Sequence, residues 1–274
     1  MIDGGGPIGV FDSGVGGLTV LRALRSVLPA EHFIYLGDTA RLPYGTKSAA
    51  SVVRYSLQCA QALIDRRIRC LVVACNTASA SALHALRSAY PGIPIIGVIE
   101  PGAAAAVGAS RSQHIAVIGT EGTIGGGAYQ TAIHRLNGRA QVTARACSLF
   151  VAMAEEGWVE GPIAEAVARR YLDPIFAASD GCPSGVPDTL VLGCTHFPAL
   201  KTTLQAVLPG DVAIVDSAAT VAAAVAQELA PSARSAGIGS VTWLATDDAA
   251  RFARVSGVFL GAPLHPDEIK IIDL

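Results

Sequence analysis

Nine short runs of β-branched and aliphatic residues recur along this chain, with longer stretches of helical spacing between them. The runs are Ile8 to Phe11, His32 to Leu36, Cys70 to Ala74, Ile95 to Val98, Ile115 to Ile118, Gln141 to Ala144, Thr189 to Leu192, Val212 to Val215 and Val241 to Leu244. Such alternation predicts parallel strands joined by helical crossovers, because parallel neighbours cannot be linked by a tight hairpin. Helical spacing is plainest at Leu18, Leu21, Leu24 and Leu28. It recurs at Ile163, Val167, Tyr171 and Leu172, after Pro162, a residue suited to a first helical turn.

A weak internal echo sharpens this picture. Leu71-Val72-Val73-Ala74 runs into Cys75-Asn76-Thr77, and Leu190-Val191-Leu192-Gly193 runs into Cys194-Thr195-His196, each with a helical stretch beyond. Two further strands end in Asp12-Ser13-Gly14 and in Gly119-Thr120. Ligands of open α/β sheets bind at the C-terminal ends of strands, so all four ends are candidate site positions. The expected fold is therefore α/β, with two pseudo-symmetric domains of largely parallel sheet and an active site in the cleft between them. Residues 1–99 with 212–274 are expected to form one domain and 100–211 the other, with Glu100-Pro101-Gly102 as the crossover. Clusters of Gly, Pro and Ser mark surface connections at Pro91 to Pro94, Ser179 to Asp188 and Pro231 to Gly239.

Composition narrows the function classes. Of 274 residues, 51% are hydrophobic, much of that alanine, and 15% are charged, which excludes a disordered chain. The longest apolar runs fall far short of the roughly 18 to 20 residues a membrane helix needs, so no membrane association is expected. Met1 to Gly9 has neither a basic nor an apolar region of a secretory signal, and the expected location is cytoplasmic. Net charge is -2, with 17 Arg and 3 Lys dispersed along the chain, so no nucleic-acid partner is expected. Six cysteines at wide spacing form no C-x-x-C pair and suggest neither a disulfide framework nor a zinc site.

A buried cysteine is usually a small hydrophobe, and that reading suits Cys59, Cys70 and Cys147, while Cys182 reads as a loop thiol. Cys75 and Cys194 differ because each leaves a strand just before a helix, whose N-terminus is expected to favour the thiolate and lower the pKa. One such cysteine suggests a nucleophile. Two at equivalent positions facing one cleft suggest proton transfer, since inverting a stereocentre takes a base on one face and an acid on the other. His196 is placed to orient or protonate Cys194 or to assist an ammonium group, although closeness in sequence does not by itself bring it to that thiol. Asp12, before the Gly-rich turn Ser13 to Gly17, is a candidate for holding an ammonium group or tuning Cys75, and equally for a turn or cap residue. Gly14-Val15-Gly16-Gly17 lacks the G-x-G-x-x-G spacing, so a dinucleotide is discounted. Asp38 to Lys47 is a polar loop whose amides and Thr46 are candidates for holding a carboxylate, or a plain surface turn.

Taken in order, these segments resemble the glutamate racemase family. The match runs through Gly9 to Val20, Tyr35 to Gly45, Val73 to Ala80, Gly97 to Gly102, Val117 to Thr120, Leu149-Phe150 to Glu155-Glu156-Gly157, and Leu192 to His196. The resemblance implies interconversion of L- and D-glutamate for peptidoglycan synthesis with neither pyridoxal phosphate nor a metal. It implies that Cys75 serves the D-isomer and Cys194 the L-isomer. By motif, Asp12, Ser13, Tyr44, Gly45, Asn76, Thr77, Thr195 and His196 are expected to contact glutamate. Asp12, His196 and Glu155, the last preferred over Glu156, are expected to support the cysteines. A homodimer is the expected assembly. Ser148 and the Phe197-Pro198-Ala199 segment depart from the family pattern of Pro and of Tyr-Pro-Leu. The N-terminus lacks the extension that some members use for activation, so independence from an activator is expected. Other readings are a racemase of aspartate or a hydantoin, a cysteine hydrolase or amidotransferase using His196, and a non-catalytic amino-acid-binding protein.

Overall fold

The computed structural model describes residues 5–177, 185–229 and 237–274. Cys182 and most of the two later surface connections lie outside the described residues. The first half contains β1 (Ile8–Asp12), α1 (Leu18–Val27), β2 (Phe33–Gly37), α2 (Ala49–Ile64), β3 (Cys70–Val73), α3 (Asn76–Ala89) and β4 (Ile95–Gly97). Helix α4 (Ile99–Ala109) leads to β5 (His114–Gly119), α5 (Glu121–Gly125), α6 (Ala128–Leu136), β6 (Gln141–Ala146), α7 (Leu149–Glu155) and α8 (Pro162–Phe176). Then come β7 (Thr189–Gly193), α9 (Lys201–Val207), β8 (Ala213–Asp216), α10 (Ser217–Leu229), β9 (Val241–Ala245), α11 (Ala249–Leu260) and β10 (Ile269–Ile271).

The strands form two sheets, ordered β10-β9-β2-β1-β3-β4 and β6-β5-β7-β8, with every pairing parallel. The block β2-β1-β3-β4 repeats in the same order as β6-β5-β7-β8, so β1 corresponds to β5 and β3 to β7. Within each block the chain leaves the first strand toward one edge and the third strand toward the other. The crevice between those two strands is a topological switch point, where crossovers on opposite faces leave the strand ends uncovered. Its lips are Asp12-Ser13 and Cys75 in one sheet, and Thr120 and Cys194 in the other.

Two sequence expectations are corrected. The strand after Val212 pairs with β7, so by sheet membership the chain returns to the first sheet after Asp216 and not at residue 212. Glu100-Pro101-Gly102, the expected crossover segment, opens helix α4, which runs from β4 of the first sheet to β5 of the second; Pro101 fits because the first turn needs no N–H from it. In α8 the buried face is Ala164, Ala168, Leu172 and Ile175, while Ile163 is exposed, because small alanines let the helix approach its neighbours closely. Strand β10 went unpredicted: three residues at a sheet edge with one buried side chain carry too little pattern.

The core explains why the halves hold together. One continuous apolar cluster contains Val10, Leu21 and Leu24 from the first half with Leu190, Leu192, Val221 and Val225 from the second part of the chain. Helix α10, entered directly from β8, packs against α1 and so clamps the second sheet to the first. Leu190→Ala, at a fully buried position in β7, is expected to cost about 2–5 kcal/mol of unfolding free energy in urea denaturation. Val27→Thr, at an exposed position, should stay within about 0.5 kcal/mol of the parent.

Candidate active site

Cys75 follows β3 and caps α3: its Sγ accepts the Ala78 N–H at 3.4 Å and donates to Ser13 Oγ at 3.6 Å. Ser13 stands at the end of β1, in a turn held from within. The Gly14 N–H donates to Asp12 Oδ2 at 3.0 Å, and the Tyr35 hydroxyl donates to the Gly14 carbonyl at 3.0 Å. Asp12 is fully buried, and its Oδ1 has no hydrogen-bond partner. Burial raises the Asp12 pKa, opposed by the charge of His196 and by the N–H groups of Gly17, Gly14 and Ser13. The Cys75 thiol is pushed up to about 12, first by burial and then by the Asp12 charge. The expected lowering by the helix N-terminus is therefore reversed here. A full desolvation cost and a nearby carboxylate outweigh the partial charge of a helix end.

Cys194 follows β7, but no α-helix begins there; Phe197–Leu200 form a 3₁₀ turn ahead of α9. Its support is a side-chain chain instead. Cys194 Sγ lies 3.8 Å from His196 Nδ1, and His196 Nε2 lies 3.1 Å from Glu155 Oε1. Glu155 Oε2 accepts from the Arg251 guanidinium at 2.7 Å. Burial by itself would lower the His196 pKa, but contacts with Cys194 and Glu155 and the charge of Asp12 raise it from 6.5 to about 10. Glu155 is held below the usual carboxylate range: His196 and Arg251 outweigh its partial burial. The preferred acid is thus the one in contact, since Glu156 is exposed. His196 does reach the thiol, which closeness in sequence alone left open.

The two cysteines line one small, partly open cavity of about 30 Å³, together with Ser13, Tyr44, Gly45, Asn76, Thr77, Thr195 and His196. Thr120, at one of the candidate strand ends, and Pro43, Thr123 and Val151, which were not predicted, complete the wall. That volume holds about a water molecule or two, so anything as large as an amino acid enters only when the walls separate. Asp12 and Glu155 stand behind the wall and act on it through Ser13, Gly14 and His196. A larger open depression of about 390 Å³ lies along α3 between Ser79, Arg87, Glu100 and Arg135, and contains neither cysteine.

Two predicted contacts are arranged differently. Tyr44 lines the cavity, but its hydroxyl donates to Asp38, a fully buried carboxylate that also accepts from Arg41 Nε and Thr246 Oγ1. Asp38 therefore holds the Pro43-Tyr44-Gly45 wall in place. Thr46 is exposed, turned to the Pro43 carbonyl, and absent from the wall. The halves also meet through hydroxyls: Thr77 Oγ1 lies 2.9 Å from Thr120 Oγ1 and 3.1 Å from Thr123 Oγ1, and Thr19 donates to the Thr195 carbonyl at 3.0 Å.

The Gly-rich turn has a steric purpose that no dinucleotide motif captures. A Cβ at Gly16 would fall 2.4 Å from His196 Nδ1 and 2.5 Å from Thr195 Oγ1. Gly16→Ala is accordingly expected to displace the His196 ring and move its imidazole nitrogen resonances in long-range 1H–15N spectra, with the fold retained by circular dichroism. Unmoved resonances would place the ring elsewhere.

A family model described as Asp/Glu/Hydantoin racemase matches residues 8–225. The chain is 49% identical to the glutamate racemase of Geobacter metallireducens, over 94% of this chain and 93% of that protein. The crystal structure of Francisella tularensis glutamate racemase in complex with D-glutamate is similar with a TM-score of 0.88 at 34% identity, covering 99% and 98% of the two chains. Bacillus anthracis glutamate racemase RacE1 is similar with a TM-score of 0.90 at 33% identity, covering 99% of each. Allantoin racemase of Klebsiella pneumoniae, at 20% identity, shares the fold. With sequence similarity running the length of the chain and the paired sheets superposing on those enzymes, this chain belongs to the Asp/Glu/hydantoin racemase family.

Proposed function

We propose that this chain interconverts L- and D-glutamate by two-sided proton transfer and supplies D-glutamate for peptidoglycan synthesis. The observation that carries the reading is the pairing of Cys75 and Cys194, at the ends of corresponding strands in two separate sheets, across a single cavity. One sulfur, as thiolate, takes the α-proton; the electron pair stays on the substrate, delocalised into its carboxylate. The other sulfur, as thiol, returns a proton to the opposite face, and the two leave with their protonation states exchanged. The high pKa of Cys75 suits a resting thiol, while Cys194 Sγ stands 3.8 Å from His196 Nδ1. In this reading Cys194 meets L-glutamate and Cys75 meets D-glutamate. Ser13, Tyr44, Gly45, Asn76, Thr77, Thr195 and His196 surround the substrate, and Asp12 and Glu155 act from behind them.

Cys194, His196 and Glu155 also form the contact order of a cysteine hydrolase. That reading leaves Cys75 without a task. It is disfavoured further by the relatives, whose names are those of racemases. Cytoplasmic residence and a homodimeric assembly complete the proposal, the latter open to sedimentation velocity on the purified protein.

Racemisation of L-glutamate in deuterated water, followed by circular dichroism and mass spectrometry, is expected to place solvent deuterium at the α-carbon of the product. Cys75→Ser and Cys194→Ser should each slow racemisation by at least about a hundredfold while leaving glutamate binding measurable by calorimetry. Wild-type turnover in either variant, or a strong preference for aspartate, would overturn the assignment.

His196 sets a pH dependence whose sign is definite. Its folded pKa lies above 6.5, so its contribution to stability is whole below 6.5 and is lost as pH rises through about 10. Glu155→Gln removes one support of the imidazolium. The alkaline limb of kcat/KM for L-glutamate is expected to move to lower pH in that variant, and an unmoved limb would separate Glu155 from the proton-transfer machinery.

A further inference from the structure

We propose that Tyr129 is the residue that sets the direction of the Asn76 carboxamide, turning its NH₂ edge toward the cavity as a donor for a substrate carboxylate. Asn76 opens α3 immediately after Cys75, lines the cavity and is 3% exposed. Its Oδ1 accepts the Tyr129 hydroxyl at 2.8 Å, and its Nδ2 is buried with no partner among the described residues. A buried amide donor is nearly always paired in a folded protein, so an unpartnered one at a cavity wall calls for an acceptor that arrives from outside. The carboxamide has two faces of opposite polarity, and half a turn about its last bond would present the carbonyl oxygen instead. Carbonyl oxygen against carboxylate oxygen is repulsive, so the direction decides whether an anionic substrate is held.

Tyr129 is suited to decide it because it cannot itself move. It lies on α6, belonging to the second sheet's half of the molecule, and is fully buried. A Cβ added at Gly193 would come within 3.1 Å of its ring, and one at Gly102 within 3.2 Å of its hydroxyl. The ring is thus wedged against the residue before Cys194, while its hydroxyl reaches the residue after Cys75. One side chain sits behind both sulfur-bearing loops, and its hydroxyl is the only part of it that touches Asn76 in a hydrogen bond. Tyr129 touches no reacting atom and is a positioning residue; the assignment rests on the racemase reading above.

Tyr129→Phe keeps the wedge and removes the hydroxyl. The expected result is a KM for glutamate raised about tenfold in both directions with kcat within about threefold of the parent, the pattern of lost uniform binding. Asn76→Ala should raise KM at least as much, and the double variant should match Asn76→Ala alone, since the two residues act as one unit. Unchanged KM in Tyr129→Phe, or additive losses in the double variant, would overturn the proposal. Asn76→Asp tests it from the other side. It keeps an oxygen for Tyr129 and replaces only the outward NH₂, so binding should fall at least as far as in Asn76→Ala; a parental KM would overturn the assignment even if Tyr129→Phe failed to fold. The side-chain 1H–15N resonances of Asn76, identified by their loss in Asn76→Asp, need no substrate. They should shift or broaden in Tyr129→Phe, and unchanged resonances count against the proposal. Absence of glutamate turnover in the parent protein would sink the racemase reading instead, with the amide resonances still deciding the role of Tyr129.

Discussion

Everything in this molecule hangs on the divergence of the chain on either side of two adjacent parallel strands, β1 with β3 and β5 with β7. Parallel strands buried on both faces need helical crossovers, and crossovers leaving in opposite directions uncover the strand ends between them. The repeat supplies two such crevices. Helices α1 and α10 pack together and bring them face to face, so that each contributes one sulfur to a shared cavity. A single sheet has one such crevice and reaches a substrate from one side; stereochemical inversion through opposed thiols needs both.

The two sulfurs are equivalent in topology and unlike in electrostatics. Cys75 is capped by a helix N–H and faces a buried carboxylate, and desolvation governs it. Cys194 has no helix behind it and is backed by His196, Glu155 and Arg251 in sequence. The chain reaches from β7 through α7 to α11, so it includes the segment that returns to the first sheet. The contacts that join this segment to the second sheet thereby also hold the Glu155 carboxylate that raises the His196 pKa. Asp12 contributes to both sides, opposing charge at Cys75 and supporting it at His196.

Around the sulfurs the wall is built from parts whose own hydrogen bonds are settled elsewhere. Asp38 holds Tyr44, the three hydroxyls of Thr77, Thr120 and Thr123 hold one another, and the Gly14 carbonyl is taken by Tyr35. What is left here without a partner among the described residues is informative: Asn76 Nδ2, a buried donor of a wall residue, and Asp12 Oδ1, a buried acceptor behind the wall. Such an arrangement keeps the polar groups that await a partner few and directed, which is what preorganised recognition of a zwitterion requires.

The sequence by itself determined the α/β class, nine of the ten strands among the described residues, the repeat that pairs Cys75 with Cys194, and the residues at strand ends, because period, apolar runs and strand-terminal motifs are local. It missed β10, whose three residues are too few to show a period, and it placed the return to the first sheet too early, because pairing partners of β8 are not written in β8. Only the tertiary structure decided which carboxylate meets His196, that Tyr44 turns its hydroxyl to Asp38, and that Thr123, Arg251 and Tyr129 meet Thr77, Glu155 and Asn76. All of these but the Tyr44–Asp38 contact, which lies within one loop, join residues distant in the chain. The cysteine pKa shows the same division most clearly: the helix N-terminus at Cys75 is legible from order alone, but the burial that overrides it belongs to the packed molecule.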